Sequence, residues 1–285
     1  LDYTSQQGEA DLRAEIVTWM GDRILGSIVP DDVALTHGGQ NAIHLIFDCC
    51  LRGERPVVLI EELAYPGFRY AARAARAEVI PVEIDEHGII PAALEAACRR
   101  HGAQVLCLTT EAQNPSTGRM PVRRRQEIAD IARTFDLQVL EDDCYSVAES
   151  DIPSLRALAP ERVWLVGSVS KTISAALRFG YVICPAGMGE AGRLTAQHGF
   201  FALSRPVADL MLHTAGFSYE LFSDDDLKYR TAKAIPTVVS CRFASIRSVL
   251  LPDPGERWTY GVNIEWLGRI VEQQRGKRLG EVLKE

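Results

Sequence analysis

Between about residue 30 and residue 200, short apolar runs alternate with segments of helical period. That alternation constrains the fold more than any other feature of the chain. Apolar runs at 33–36, 57–60, 79–84, 105–109, 137–141 and 163–168 read as strands, with helical segments at 41–51, after Pro66-Gly67 through Arg73, at 91–100 and at 122–134 between them. Pro91 suits the first turn of its helix, where the missing N–H has no intrahelical partner. Strands that alternate with helices predict βα units, and so a mainly parallel sheet covered on both faces. The expected fold class is therefore α/β, with a three-layer α/β/α large domain at 30–205. A segment with a helix at 9–20 occupies 1–29, and a smaller, divergent or incomplete domain is expected at 206–285. Ligands of such sheets sit beyond the carboxyl ends of the strands, so the residues following each apolar run hold the chemistry.

Beyond residue 200 the pattern weakens, leaving helical candidates at 198–212, interrupted at Pro206, and at 268–284, with the acidic run Asp224-Asp225-Asp226 between them. The 285 residues suffice for one large buried core and a smaller one. A formal net charge of -7 argues against a general nucleic-acid surface, which needs clustered Lys and Arg. No apolar run reaches the length of a membrane span, and no signal-peptide pattern opens the chain. The seven cysteines follow no metal-ligand spacing, and several lie in apolar runs, so no metal site is expected and a reducing cytoplasm is the simplest setting. The chain opens on Leu1 rather than Met, so sequence upstream of it is expected.

Five strand ends carry candidate chemistry. Gly167-Ser168-Val169-Ser170-Lys171-Thr172 follows an apolar run, with Arg178 seven residues past the lysine. A Lys partly buried there beside other cations is a candidate imine-forming amine, because burial favours its neutral form. Ser168 and Arg178 would offer a hydroxyl and a charge to a phosphate. Glu141-Asp142-Asp143-Cys144-Tyr145 places acids at a buried strand end, where they are costly without a partner, and one could pair with a ring nitrogen. Asn114-Pro115-Ser116-Thr117-Gly118 is a turn whose amide could reach a ring oxygen. Gly38-Gly39-Gln40 opens a helix, where free N–H groups favour a phosphate. Tyr65-Pro66-Gly67 offers an aromatic face. Each is modest alone, since Gly-containing turns, solvated acidic loops and core tyrosines are common.

In this order and at these strand ends, the five together resemble the class I/II aminotransferases of pyridoxal-5′-phosphate (PLP) fold type I. The similarity is to the branch of α-aminoadipate and kynurenine aminotransferases and of the aminotransferase-like domains of GntR-type (MocR) regulators. Leu1-Asp2-Tyr3 with Gly8 and Leu12-Arg13 resembles that family's opening, and Leu177-Arg178-Phe179-Gly180-Tyr181 its phosphate-side motif. The resemblance implies that Lys171 binds the cofactor as a Schiff base and carries the proton at the substrate Cα. It implies that Asp142 pairs with the pyridine nitrogen, that Tyr145 and Asn114 reach the ring 3-oxygen, and that Tyr65 stacks on the ring. Gly39, Gln40, Ser168 and Arg178 would hold the phosphate, with Tyr3 crossing to the phosphate of a second subunit in a homodimer. The resemblance ends near residue 205. Residues 260–266 are a poor echo of a Gly-Gly-x-Phe-x-Trp-like strand, and Arg242 stands in the wrong order to be the family's carboxylate-binding Arg.

Three functional readings follow. The first is a homodimeric, cytoplasmic PLP-dependent transaminase acting on an amino acid and a 2-oxo acid. The second is an effector-sensing domain of a GntR/MocR-type transcriptional regulator, and the third a PLP-dependent lyase or decarboxylase on the same fold.

Overall fold

The computed structural model describes residues 9–21, 25–144, 151–171, 177–200 and 209–284, apart from 212, 214, 241 and 255. The chain divides into two compact units, one over Arg13–Ala202 and one over Leu203–Glu285, with which residues 9–12 are grouped.

The first unit is built on a seven-stranded sheet. Helix α1 (Ala10–Met20) precedes strand β1 (Val33–Thr36), and α2 (Gly39–Cys50) leads to β2 (Val57–Glu61). Next come α3 (Pro66–Ala74), β3 (Glu78–Val82), and a two-stranded ribbon of β4 (Ile84–Asp85) and β5 (Gly88–Ile89). Then follow α4 (Pro91–His101), β6 (Val105–Leu108), α5 (Val122–Thr134), β7 (Gln138–Asp142), α6 (Leu155–Leu158), β8 (Val163–Ser168), β9 (Gly180–Ile183) and α7 (Gly189–Phe200).

The strand order is β1-β9-β8-β7-β6-β2-β3. Strands β3, β2, β6, β7 and β8 run parallel, while β9 is antiparallel to both β8 and β1. The expected mainly parallel sheet is thus found, and its central strands are buried along their length. Edge strand β3 holds Pro81, which an edge tolerates because a ladder donor is missing there. One face packs Ile60, Cys107, Leu140 and Val166 against Ile43, Phe47 and Phe68 of α2 and α3. The other packs Leu59, Leu106, Leu108 and Val139 against Leu94, Ile128 and Ala132 of α4 and α5. Helices on both faces give the three layers.

Two readings of the sequence are corrected. The run at 79–84 is not one strand, because β3 ends at Val82 and Ile84 begins the ribbon. Strand β9 was not expected, its residues having been read only as part of the phosphate-side motif.

In the second unit the acidic run opens helix α8 (Asp224–Ala232). Ser223 Oγ accepts from Asp226 N at 3.3 Å, and three carboxylates in a first turn suit the positive end of the helix dipole. Asp226 is buried and takes Arg230 Nε at 2.7 Å, and Arg230 also donates to Ser245 O at 2.6 Å. The helix expected at 268–284 is two helices, α9 (Asn263–Arg275) and α10 (Leu279–Val282), because Gly276 adopts a left-handed conformation and caps the first. Residues 263–266 are the opening of α9 rather than a strand. Of the helix expected at 198–212, residues 198–200 end α7, which begins earlier at Gly189, and 201–208 lie outside the described residues.

Candidate functional site

Residues from the ends of β1, β2, β7 and β8 and from the approach to β9 line one cavity of about 200 Å³. Of the residues expected from sequence, the walls include Gly39, Gln40, Tyr65, Asp142, Ser168, Lys171 and Arg178. Ile43, Cys144 and Ser170 complete them. These three were not expected, although Cys144 and Ser170 lie inside the motifs read above.

The Gly38-Gly39 turn forms the anionophilic side. Gly38 caps α2 with φ 90°, a left-handed geometry that favours glycine. A Cβ on Gly38 would stand 3.1 Å from Arg178 Nη2, and one on Gly39 would stand 2.9 Å from Cys144 Sγ. Arg178 is held against this turn by donation from Nη2 to His37 O at 2.9 Å. Its guanidinium therefore sits beside the α2 N-terminus, whose first N–H groups have no intrahelical acceptor. Ser168 is buried, and its Oγ donates to Phe179 O at 3.1 Å and accepts from Ser170 N at 3.2 Å. Gln40 reaches sideways, donating from Nε2 to Gly67 O at 3.1 Å. Tyr65 caps α3, with its ring edge-on to Phe68 at 6.0 Å between centroids.

Strand parity decides which acid faces the cavity. Glu141 and Asp142 point to opposite faces of β7. Glu141 is fully buried and accepts from Thr110 Oγ1 at 2.7 Å and from the Leu155 and Arg156 N–H groups at 3.0 Å. It thereby fixes the start of α6. Asp142 lines the cavity, its Oδ1 accepting from Cys144 N at 3.0 Å, and burial raises its carboxyl above the usual range. Asp143 is pushed up to about 8 by burial and by the nearby Glu141, Glu111 and Asp142 carboxylates. Its buried Oδ1 has no hydrogen-bond partner among the described residues.

Lys171 stands at the cavity one short turn beyond β8 and is exposed. This corrects the expectation of a partly buried amine, because Lys171 lies beyond the buried strand, which ends at Ser168. Asn114 is half-buried and is not among the cavity walls. Tyr3 and Tyr145 lie outside the described residues. Beneath the site, Glu61 at the end of β2 is fully buried and accepts from Thr109 N at 3.2 Å and Gln113 Nε2 at 3.3 Å. An acid closing an apolar run was the signal used at residue 141, and it applied equally at residue 61.

A model of the family described as aminotransferase class I and II matches residues 1–228. The chain belongs to that family. This aminotransferase-family chain is 33% identical over 190 residues to the 2-aminoadipate transaminase of Thermus thermophilus, across 64% of this chain and 46% of that protein. It is 37% identical over 164 residues to the HTH-type transcriptional regulator TauR of Rhodobacter capsulatus, across 55% of this chain and 32% of that protein. Among solved structures it resembles LysN, an α-aminoadipate aminotransferase of Thermus thermophilus complexed with N-(5′-phosphopyridoxyl)-L-leucine, with TM-score 0.61 and 29% identity. That match covers 71% of this chain and 52% of that one. The kynurenine aminotransferase of Pyrococcus horikoshii shares the fold at TM-score 0.64 and 24% identity, covering 71% of this chain and 52% of that one. The chain spans about a third to a half of the length of the first of these curated relatives. No helix among the described residues is long and apolar enough to cross a membrane.

Proposed function

We propose that this chain binds PLP and acts as a transaminase, moving an amino group between an amino acid and a 2-oxo acid. The observation that carries the reading is convergence: an anion cradle, a buried acid, an aromatic face and an amine, supplied by separate strand ends, line one cavity. The donor set fits the cofactor. The α2 N–H groups near Gly39 and Gln40, with Ser168 and Arg178, suit a phosphate dianion. Asp142 is a buried carboxyl, and a ring nitrogen carrying a proton would favour its charged form there. Tyr65 would lie against the ring, and Asn114 and Tyr145 would donate to its 3-oxygen. When bound, PLP supplies the electron sink for transamination. Lys171 would hold the cofactor through its Nζ and would move a proton at the substrate Cα as general acid and base. Cys144, by donating its N–H to Asp142, orients that carboxylate. The whole protein works as a cytoplasmic homodimer in which Tyr3 reaches the phosphate of the second subunit.

A second reading is favoured by the relatives. Three of them are HTH-type transcriptional regulators: YdeF of Bacillus subtilis, TauR, and the pyridoxine biosynthesis regulator PdxR of Corynebacterium glutamicum. On that reading the same cavity holds PLP as a sensor and performs no turnover. One experiment separates the two. Borohydride reduction and peptide mapping should place a pyridoxyl group on Lys171, and a label on another lysine would remove both readings. The loaded protein is then offered a panel of amino acids while its near-visible absorbance is followed. Loss of the band with 2-oxo acid formed, and its return with an acceptor 2-oxo acid, supports the transaminase. A stable spectral shift without product supports the sensor. Ammonia or carbon dioxide released at each turnover would instead indicate a lyase or decarboxylase.

A further inference from the structure

Two strand-end loops carry residues assigned above to the cofactor ring, Tyr65 after β2 and Asn114 after β6. A single buried side chain joins them. Gln113 is 2% exposed. Its Nε2 donates to Leu63 O at 2.6 Å, two residues before Tyr65, and lies 3.3 Å from Glu61 Oε2. Its Oε1 accepts from Ser116 N at 2.9 Å and from Ser116 Oγ at 2.6 Å, just past Asn114-Pro115. Both donors and both acceptor positions of the amide are thus in use. One end of the amide serves the first loop and the other end serves the second. The backbone repeats the closure, with Gln113 N donating to Gly118 O at 3.0 Å. Glu61 anchors the arrangement from below, its Oε2 also taking Thr109 N at 3.2 Å.

We propose that Gln113, seated on Glu61, is a positioning residue that fixes the Tyr65 loop and the Asn114 turn in one register around the cofactor. The inference rests on the PLP reading for its functional part, while the clamp itself is a property of the chain. Neither a carboxylate nor an aliphatic side chain would serve at this position. A carboxylate lacks the donors that Leu63 O and Glu61 require, and an aliphatic group would leave Ser116 N, Leu63 O and Glu61 unsatisfied in a buried place. Burial raises the Glu61 carboxyl to about 8, so near neutrality it is an uncharged acceptor and its amide analogue is a close substitute.

The test uses the full-length chain, with and without cofactor, as wild type, Q113A and E61Q. Without cofactor, hydrogen exchange at the Ser116 amide and across 62–66 should rise about tenfold in Q113A, the worth of a lost hydrogen bond, and stay near wild type in E61Q. With cofactor, Q113A should change two signals together. The pH midpoint of the bound cofactor's absorbance should move by about one unit through Asn114, and the induced circular dichroism should fall through Tyr65. Should Q113A fail to fold, Q113N keeps the amide without its reach and is read in the same way. Unchanged exchange in both loops would overturn the clamp. A lower melting temperature with both cofactor signals unaltered would reduce Gln113 to a structural residue and overturn the positioning role. Failure of the PLP reading shows separately, as absence of a pyridoxyl label on Lys171 in the wild type.

Discussion

Asp142 and Asp143 differ by one position, and the parity of β7 assigns them different surroundings. Three acids closing an apolar run are legible in sequence as a buried cluster needing partners. Which of them faces the cavity is set by strand register, which the run alone does not fix. Asp142→Asn should therefore weaken cofactor binding by about ten- to a hundredfold without abolishing it, yet lose most turnover, since an ionic hydrogen bond is worth about 1.5–3 kcal/mol and an amide cannot favour a protonated ring nitrogen. Asp143→Asn should be the milder change for turnover. Steady-state rates of the two variants decide it, and the reverse order would place Asp143 at the ring. Glu61 carries a pH signature of its own. Its pKa is raised to about 8 in the folded chain, against about 4.3 for an unfolded glutamate. Between those values only the unfolded chain has released the proton, so stability falls as pH rises, by up to about 1.4 kcal/mol per unit, and levels off above about 8. Asp143 acts in the same direction. Glu61→Gln has no proton to lose, so its urea midpoint should depend less steeply on pH between about 5 and 8. An equal slope in wild type and variant would show that Glu61 ionises normally.

At the level of elements, the alternating β and α segments of the first unit were readable because each buried strand is a short apolar run closed by polar residues. What escaped was β9. Its residues follow a motif read for phosphate chemistry, and a four-residue strand antiparallel to β8 departs from the parallel βα alternation on which the reading rested. The split between α9 and α10 escaped for a different reason. Helical periodicity continues across Gly276, and only its left-handed conformation marks the end of α9. The Gly38 turn was legible as a turn, but its tolerance is a matter of space. Gly38→Ala places a methyl at φ 90° and ψ 171°, a region essentially confined to glycine, which costs about 1–3 kcal/mol, and sets it 3.1 Å from the Arg178 guanidinium. The variant should lose melting temperature and bind both PLP and inorganic phosphate more weakly by about tenfold or more. Isothermal titration with phosphate alone makes the measurement independent of Lys171. Undiminished phosphate affinity would move the anion cradle away from α2.

For the whole molecule, the features legible in sequence were those concentrated in one unit and carried by local motifs. The candidate cavity needs only strand ends of Arg13–Ala202, so its parts could be read one by one. Residues 206–285 carry no comparable strand-end motif, and so yielded no carboxylate-binding residue. The proposed dimer can nonetheless be tested without a structure of the pair. If Tyr3 of one subunit completes the phosphate site of the other, Tyr3→Phe and Lys171→Ala damage different halves of one shared site. Each variant alone should be impaired, Lys171→Ala by loss of covalent attachment and Tyr3→Phe by about ten- to a hundredfold weaker cofactor binding, the worth of one hydrogen bond to a charged group. In a mixed dimer, the Tyr3→Phe subunit supplies Lys171 to a site whose Tyr3 comes from the Lys171→Ala subunit. That site is intact. Mixing the two variants under exchange conditions should therefore restore tight binding to a fraction of the sites, seen as a high-affinity phase in cofactor titration. A chain that sediments as a monomer while binding PLP tightly, or mixtures that titrate as the plain sum of the two variants, would confine the site to one subunit.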